Sequence, residues 1–361
     1  MLKINFEDRF FQCERLVKNL VLKLSITYSR IRAHRERKQV VKKIGRSVIN
    51  RQIKKSIKEY ARQRFGRTNY WPYLALYTEI RGQFIKGWIP YDYFRYVFMP
   101  KINPQNYRDL SNIKTFDYRL FGEFAIRPLL VFISGIFYNT DLEIIEEGQV
   151  KKLLSDYDNT IVVKEEFGMK GKQINIIHSS EFIPGKLKKN INYIIQPYIK
   201  QYKVLNDLYP EGVNTFRVTT FLNTDGSVNI KCVILRFGVD GLKIDNLSSG
   251  GQYIYFDSSG KPSNLAYDYI GLKAGAKHKN TGYLFSDVRI PMFHKILDLC
   301  EEAHKKYPYL RLIGWDVCID DSGEPKLIEW NAFCPSILPE DINFGPFWTD
   351  DSEINLKLGV H

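Results

Sequence analysis

Near the C-terminus, Asp316, Glu329 and Asn331 stand in two apolar, β-branched runs, 312–320 and 326–331, separated by Asp321-Ser322-Gly323-Glu324-Pro325. A Ser-Gly pair among acidic residues predicts a hairpin. With Ser322-Gly323 as a two-residue loop, Asp321 pairs with Glu324, and counting back sets Asp316 opposite Glu329. Side chains alternate faces along a strand, so Asn331 shares the face of Glu329. Two carboxylates held side by side repel each other, and a divalent cation relieves the repulsion. Carboxylates, an amide oxygen and water suit Mg2+, which commonly takes further oxygens from a substrate phosphate. The competing reading is a solvated strand face, where Asp and Glu are common.

Other groups upstream can handle anions. Asp225-Gly226 lies between two alternating runs and predicts a second hairpin. With that pair as the loop, Thr224 pairs with Ser227, Arg217 faces Ile234, and Arg236 is a diagonal neighbour of Arg217, with Thr215 beside them. Two guanidinium groups on one sheet face grip phosphate or carboxylate in bidentate fashion; the plainer alternative is a pair of surface arginines. Lys164 ends the β-rich run 160–164, and Phe167-Gly168-Met169-Lys170-Gly171-Lys172 leads to a second strand at 173–177. Exposed N–H groups and positive charge suit a loop that covers phosphates, although short Gly/Lys hairpin loops are abundant. The strand 192–199 exits through Gln196-Pro197-Tyr198-Ile199. Proline frees a backbone segment from the ladder, so this exit can offer N–H and C=O groups to a flat heterocycle. Asn246 lies in the polar, Gly-rich bend 245–251.

These groups belong to a chain of 361 residues, 44% apolar, which is long enough for two or three lobes and excludes wholesale disorder. No apolar run approaches the roughly 18 residues that span a bilayer; the longest, 129–137, reads as a buried strand. The N-terminus lacks the apolar stretch and small-residue cleavage site of a signal peptide. Five scattered cysteines without CxxC spacing point to reduced thiols, a cytoplasmic setting and no zinc site.

The net charge of +13 is unevenly spread: residues 1–67 hold 20 Lys/Arg and 5 Asp/Glu, and the remainder 33 and 35. Phe10, Cys13, Val17, Leu20, Leu24, Tyr28 and Ile31 recur at spacings of three and four, predicting an amphipathic helix over 8–31, and a second is expected over 39–65. Such a pair either lies on an anionic membrane surface, peripheral to its inner face, or packs on the body with a solvated basic face. Aromatics are not interleaved with these charges, which argues against nucleic acid. The aromatic density of 68–150 is that of a packed core, with a strand near 128–137 and helices over 142–156 and 287–306.

Taken in order, the motifs resemble the ATP-grasp superfamily, and within it the sugar-transfer-associated ATP-grasp family of bacterial polysaccharide biosynthesis. The residues that carry the resemblance are Val163-Lys164, 168–172, Ile194 to Ile199, Asn214-Thr215-Phe216-Arg217-Val218, Asn246 to Gly251, Gly314-Trp315-Asp316 and Ile328-Glu329-Trp330-Asn331. It covers roughly 68–345. It implies an α+β ATP-grasp fold with two α+β lobes closing on nucleotide, preceded by a basic helical extension. The expected segments are 1–67 (the extension), 68–156 (an aromatic-rich lobe), 157–200 (a nucleotide-covering subdomain) and 201–361 (the catalytic lobe).

By the same resemblance, Lys164 contacts nucleotide phosphates and Gly168, Lys170, Gly171 and Lys172 form the flap. Gln196, Pro197, Tyr198 and Ile199 form the adenine link, and Asn246 is a further nucleotide contact. Asp316, Glu329 and Asn331 are magnesium ligands, and Arg217 and Arg236 hold the transferring phosphoryl group and an acceptor carboxylate. The family often carries an Asp-Lys pair before the first strand of the nucleotide lobe. Here Asp117 is followed by Tyr118, leaving Arg119 as the substitute. The expected activity is an ATP- and Mg2+-dependent carboxylate–amine ligase acting through an acyl phosphate, with a glycan-related acceptor such as a uronic acid and an amine donor. A kinase that phosphorylates a hydroxyl, and a membrane-docked scaffold without catalysis, are the alternatives.

Overall fold

Helix formers with no breaker run from the first residues to Ile44, and a computed structural model describing residues 6–167, 173–242, 247–335 and 338–348 shows one helix there, α1 (Phe6–Ile44). It does not pause after residue 31, because Arg32 pairs with Glu36 at i,i+4 (2.7 Å) and the turn stays helical. The break comes at Gly45 (φ +83°), and Asn50 caps α2 (Arg51–Phe65) by accepting from the Ile53 N–H at 2.9 Å. The expected second helix over 39–65 is therefore divided between α1 and α2.

These helices belong to the first of two compact units, Met1–Ile102 with Leu338–His361. Within it α1 packs on α3 (Trp71–Arg81), a helix buried on nearly all sides. Tyr73, Tyr77, Trp88, Phe94 and Phe98 fill the core as the aromatic density predicts, and the Trp88 indole donates to the Asp341 carbonyl at 3.0 Å.

The second unit, Asn103–Ile337, holds two antiparallel sheets. The first contains β1 (Leu130–Ile133), β2 (Ile136–Tyr138), β3 (Thr160–Glu165), β4 (Ile174–His178) and β5 (Tyr193–Pro197), ordered β2-β1-β5-β3-β4. Ile161, Val163 and Ile195 point to a core closed by Val150 and Leu154 of α4 (Glu147–Tyr157). Their strand neighbours Val162, Lys164 and Gln196 face the other way, as period two requires.

The second sheet contains β6 (Thr215–Leu222), β7 (Val228–Phe237), β8 (Gln252–Tyr255), β9 (Ala266–Tyr267), β10 (Lys273–Gly275), β11 (Leu312–Ile319) and β12 (Pro325–Asn331). Its order is β10-β9-β8-β7-β6-β11-β12. Phe216, Val218, Leu235, Trp315 and Val317 share a core with Ile296, Cys300 and Ala303 of α5 (Phe293–Lys306). Helices and antiparallel sheets together make the α+β class that the pattern predicts.

Candidate active site

Both hairpins that carry the chemistry reach the expected register by an unexpected route. Between β11 and β12 the loop is three residues: Asp320 pairs with Glu324, and Gly323 takes the left-handed conformation (φ +89°). That shifts the count by one, so Val317 faces Leu327. A bulge at Ile328 then restores it, and Asp316 stands opposite Glu329. The β6–β7 hairpin repeats the device. Asn223 pairs with Ser227 around a loop ending in Gly226 (φ +85°), a bulge at Lys231 corrects the count, and Arg217 faces Ile234. Three-residue turns with glycine at the left-handed position are a standard hairpin closure, and only glycine adopts it without strain. The β12 bulge also turns Ile328 and Glu329 to the same side, which strict alternation forbids.

Asp316 is the centre of the cluster. Arg217 lies opposite it on β6 and grips it twice, Nε to Oδ1 at 2.5 Å and Nη2 to Oδ2 at 3.0 Å. Arg236 approaches Oδ1 at 3.1 Å and donates to the Thr215 hydroxyl at 2.7 Å. The Asn331 amide donates to Asp316 Oδ2 at 3.2 Å. Asp316 is buried, but the two guanidinium groups outweigh that cost and hold its carboxyl well below the ordinary carboxylate range. Glu329 responds oppositely: burial, then the charge of Asp316, push its carboxyl up. Gly314 gives Arg217 its place, since a Cβ there would come within 3.2 Å of the arginine Cδ and 2.9 Å of Pro335.

Lys164 enters from the other sheet. Burial lowers its pKa, and its main favourable partner is Glu329. Together these residues line a cleft of about 1050 Å3 within the second unit. Gln196, Pro197, Tyr198 and Ile199 line it too, with Ile126, Val162, Ile174, Ile176, Val213 and Ile328 supplying apolar walls. The Gln196 side chain is buried and donates to the Ile126 carbonyl at 3.2 Å. Thus Lys164, Gln196–Ile199, Arg217, Arg236, Asp316, Glu329 and Asn331 are brought into one place. Gly168, Lys170, Gly171, Lys172 and Asn246 lie outside the described residues.

Sequence reasoning passed over Lys114 and misjudged its neighbour Arg119. Arg119 is exposed and does not line the cleft, whereas Lys114 does, and its charge acts on Lys164, Asp117 and Glu329. Lys114 lies in a run of short 3-10 turns without periodicity, so no pattern marks it. Asp117 is buried, accepts from the Trp330 indole at 2.9 Å, and is pushed up to about 8 by burial. Asn103 also went unnoticed. Its Nδ2 donates to the Leu312 and Ala332 carbonyls and its Oδ1 accepts from the Arg311 and Leu312 N–H groups, tying the start of β11 to the end of β12.

Asp316, Glu329 and Asn331 offer two carboxylates and an amide, donor types that magnesium accepts. Among the described residues there is no cluster of three or more His, Cys, Asp or Glu side chains able to hold a metal. Two carboxylates and an amide leave most of an octahedron to substrate oxygens and water.

Residues 180–347 match the family described as sugar-transfer associated ATP-grasp. The matched stretch includes β6 to β12 with Arg217, Arg236, Asp316, Glu329 and Asn331; Lys164 precedes it. Among solved structures, D-alanyl-alanine synthetase A from Vibrio cholerae is similar at 10% identity over 70% of this chain and 66% of its own, with a TM-score of 0.41. N5-carboxyaminoimidazole synthetase from Staphylococcus aureus, complexed with ADP, is similar at 9% identity over 63% and 44%, with a TM-score of 0.37. An ATP-grasp ligase complexed with a minimal precursor is similar at 12% identity over 64% and 55%, with a TM-score of 0.36. The chain spans about half to two thirds of the length of these proteins. No curated protein matches it.

Proposed function

We propose, with residues 180–347 taken as sugar-transfer associated ATP-grasp sequence, that the chain is an ATP-dependent carboxylate–amine ligase acting on a cell-surface glycan precursor. The observation that carries this reading is the convergence of Lys164, Arg217 and Arg236 on the Asp316–Glu329 pair in one cleft with apolar walls. A volume of about 1050 Å3 is slightly above the roughly 300–1,000 Å3 usual for small-molecule pockets, in keeping with a site for a large ligand.

In this reading Ile126, Val162, Ile176 and Val213 sandwich the adenine while the 196–199 link reads its edge through backbone groups. Lys164, with Lys114 close by, holds the phosphates. Asp316, Glu329 and Asn331 would hold magnesium, which when bound draws charge from the terminal phosphates. The ionised Asp316 keeps Arg217 and Arg236 aligned at the mouth of the phosphate site. Transfer of one arginine from Asp316 to an incoming carboxylate or phosphoryl group exchanges one charge-assisted bidentate contact for another, so little is lost on binding. The acceptor carboxylate oxygen bonds to the γ-phosphorus as the bond to ADP breaks. The amine then attacks the acyl carbon, phosphate leaves, and the amine proton passes to solvent. No protein nucleophile is needed; orientation and fixed charge carry the rate.

The test is ADP release with candidate uronic acids in the presence of hydroxylamine. An acyl hydroxamate formed in step with ADP supports the ligase. A stable phosphoester with no hydroxamate refutes it in favour of a kinase, and nucleotide binding without turnover of any acid or alcohol favours a scaffold.

A further inference from the structure

The first helix presents an apolar face to solvent. Leu16, Val17, Leu20, Leu24, Tyr28 and Ile31 of α1 are each between 52% and 67% exposed. From Val17 onward the line advances by three or four residues, and it continues without a break into Arg35, Lys38 and Lys42, all exposed. About 22 Å of apolar stripe, at 1.5 Å per residue, thus runs into a basic one on the same side of a single rod. The helix cannot roll to hide it. On its packed side Ala33 and Val40 are fully buried, the Ser29 hydroxyl meets Tyr73 at 3.0 Å, and Arg30 and Arg37 pair with Asp92 at 2.7 Å and Glu79 at 3.0 Å.

We propose that this face of α1 docks on the surface of an anionic lipid membrane, with the apolar side chains from Leu16 to Ile31 entering the interface and Arg35, Lys38 and Lys42 on the headgroups. Charge decides between occupants. Residues 1–67 carry 20 Lys/Arg against 5 Asp/Glu, so two copies brought together along α1 repel, whereas an anionic surface attracts. The exposed apolar set also includes Val21 and is broader than the a/d seam of a coiled coil. Among the described residues no helix is long and apolar enough to cross a membrane, which suits a helix lying in the interface. The inference is independent of the chemistry proposed for the cleft.

The experiment is co-sedimentation of the full chain with vesicles of phosphatidylcholine alone or with about 30% phosphatidylglycerol, at low and at physiological salt. Binding should be about tenfold or more tighter to the anionic vesicles and should weaken with salt. Val17→Ser with Leu20→Ser and Leu24→Ser should lower it by about tenfold or more, as should Arg35→Gln with Lys38→Gln and Lys42→Gln. All six positions are exposed, so circular dichroism should be unchanged. The proposal is overturned if the wild type ignores anionic vesicles, or if the serine variant binds them as well as the wild type does. It is equally overturned if the wild type is a dimer by light scattering that the serine variant dissolves, with no vesicle binding by either.

Discussion

Removing the Asp316 carboxylate should strengthen, not weaken, the binding of metal-free nucleotide. In the wild type both arginines of the cleft are engaged by that one side chain, at 2.5, 3.0 and 3.1 Å. Asp316→Asn keeps the shape and the Asn331 contact but removes the carboxylate charge that Arg217 and Arg236 share. The two arginines are only 12% and 13% exposed. Hydrogen bonds to charged groups are worth about 1.5–3 kcal/mol, and breaking a buried pair costs about 3–5 kcal/mol. Access to cleft water brings the expected destabilisation to about 2–3 kcal/mol, measurable by urea unfolding. A triphosphate without magnesium can then take the place of the lost carboxylate beside the two guanidinium groups. Losing one repelling charge and releasing two donors should improve metal-free ATP affinity by about tenfold, or about 1.4 kcal/mol. Magnesium, having lost a ligand, should add little further. Calorimetric titration of both proteins with ATP in EDTA measures the effect. A folded Asp316→Asn protein that binds metal-free ATP no better than the wild type would show that Asp316 does not compete with nucleotide for the two arginines.

Two further variants probe the supports of the site. Asp117→Asn should stabilise the protein progressively from about pH 4 to pH 8. Burial raises the folded carboxyl from 3.8 to about 8, so the folded chain retains a proton that the unfolded chain has released, and wild-type stability falls across that window. At about 1.4 kcal/mol per pH unit the ceiling is about 6 kcal/mol, and relaxation leaves about 2–3 kcal/mol at pH 8; denaturant midpoints at pH 4 and pH 8 check it, and equal gaps at both refute it. Gly314→Ala should lower turnover about tenfold or more with a smaller change in nucleotide affinity, because its Cβ would press on Arg217 at 3.2 Å and a small displacement of a positioning group is costly; steady-state kinetics separate the two.

The strand register of the cleft was more legible than its surroundings. Strand alternation and turn composition were enough to set Asp316 opposite Glu329 and Arg217 opposite Ile234. In both hairpins, however, the loop holds three residues where two were expected. A β-bulge compensates, and bulges have no reliable composition signature. Ile328 shows the consequence, since it faces the cleft beside Glu329 where alternation would have sent it elsewhere. Lys114 and Asn103 were invisible for another reason. They sit on short turns, and what they act on, the charge of Glu329 for Lys114 and the ends of β11 and β12 for Asn103, lies some 200 residues away in the chain. The α1 stripe was legible as a pattern, but periodicity gives the face and not its partner. The packed side of α1 is held by Ala33 and Val40 together with Ser29, Arg30 and Arg37, polar residues that a hydrophobic pattern does not count.

The central claim is that Asp316, Glu329 and Asn331 bind magnesium as part of a nucleotide site. Titration of the wild type and of Glu329→Gln with ADP, each with and without magnesium, tests it most directly. Magnesium should tighten ADP binding to the wild type by about tenfold or more, about 1.4 kcal/mol, and Glu329→Gln should lose most of this gain. An equal magnesium-dependent gain in both proteins would contradict it.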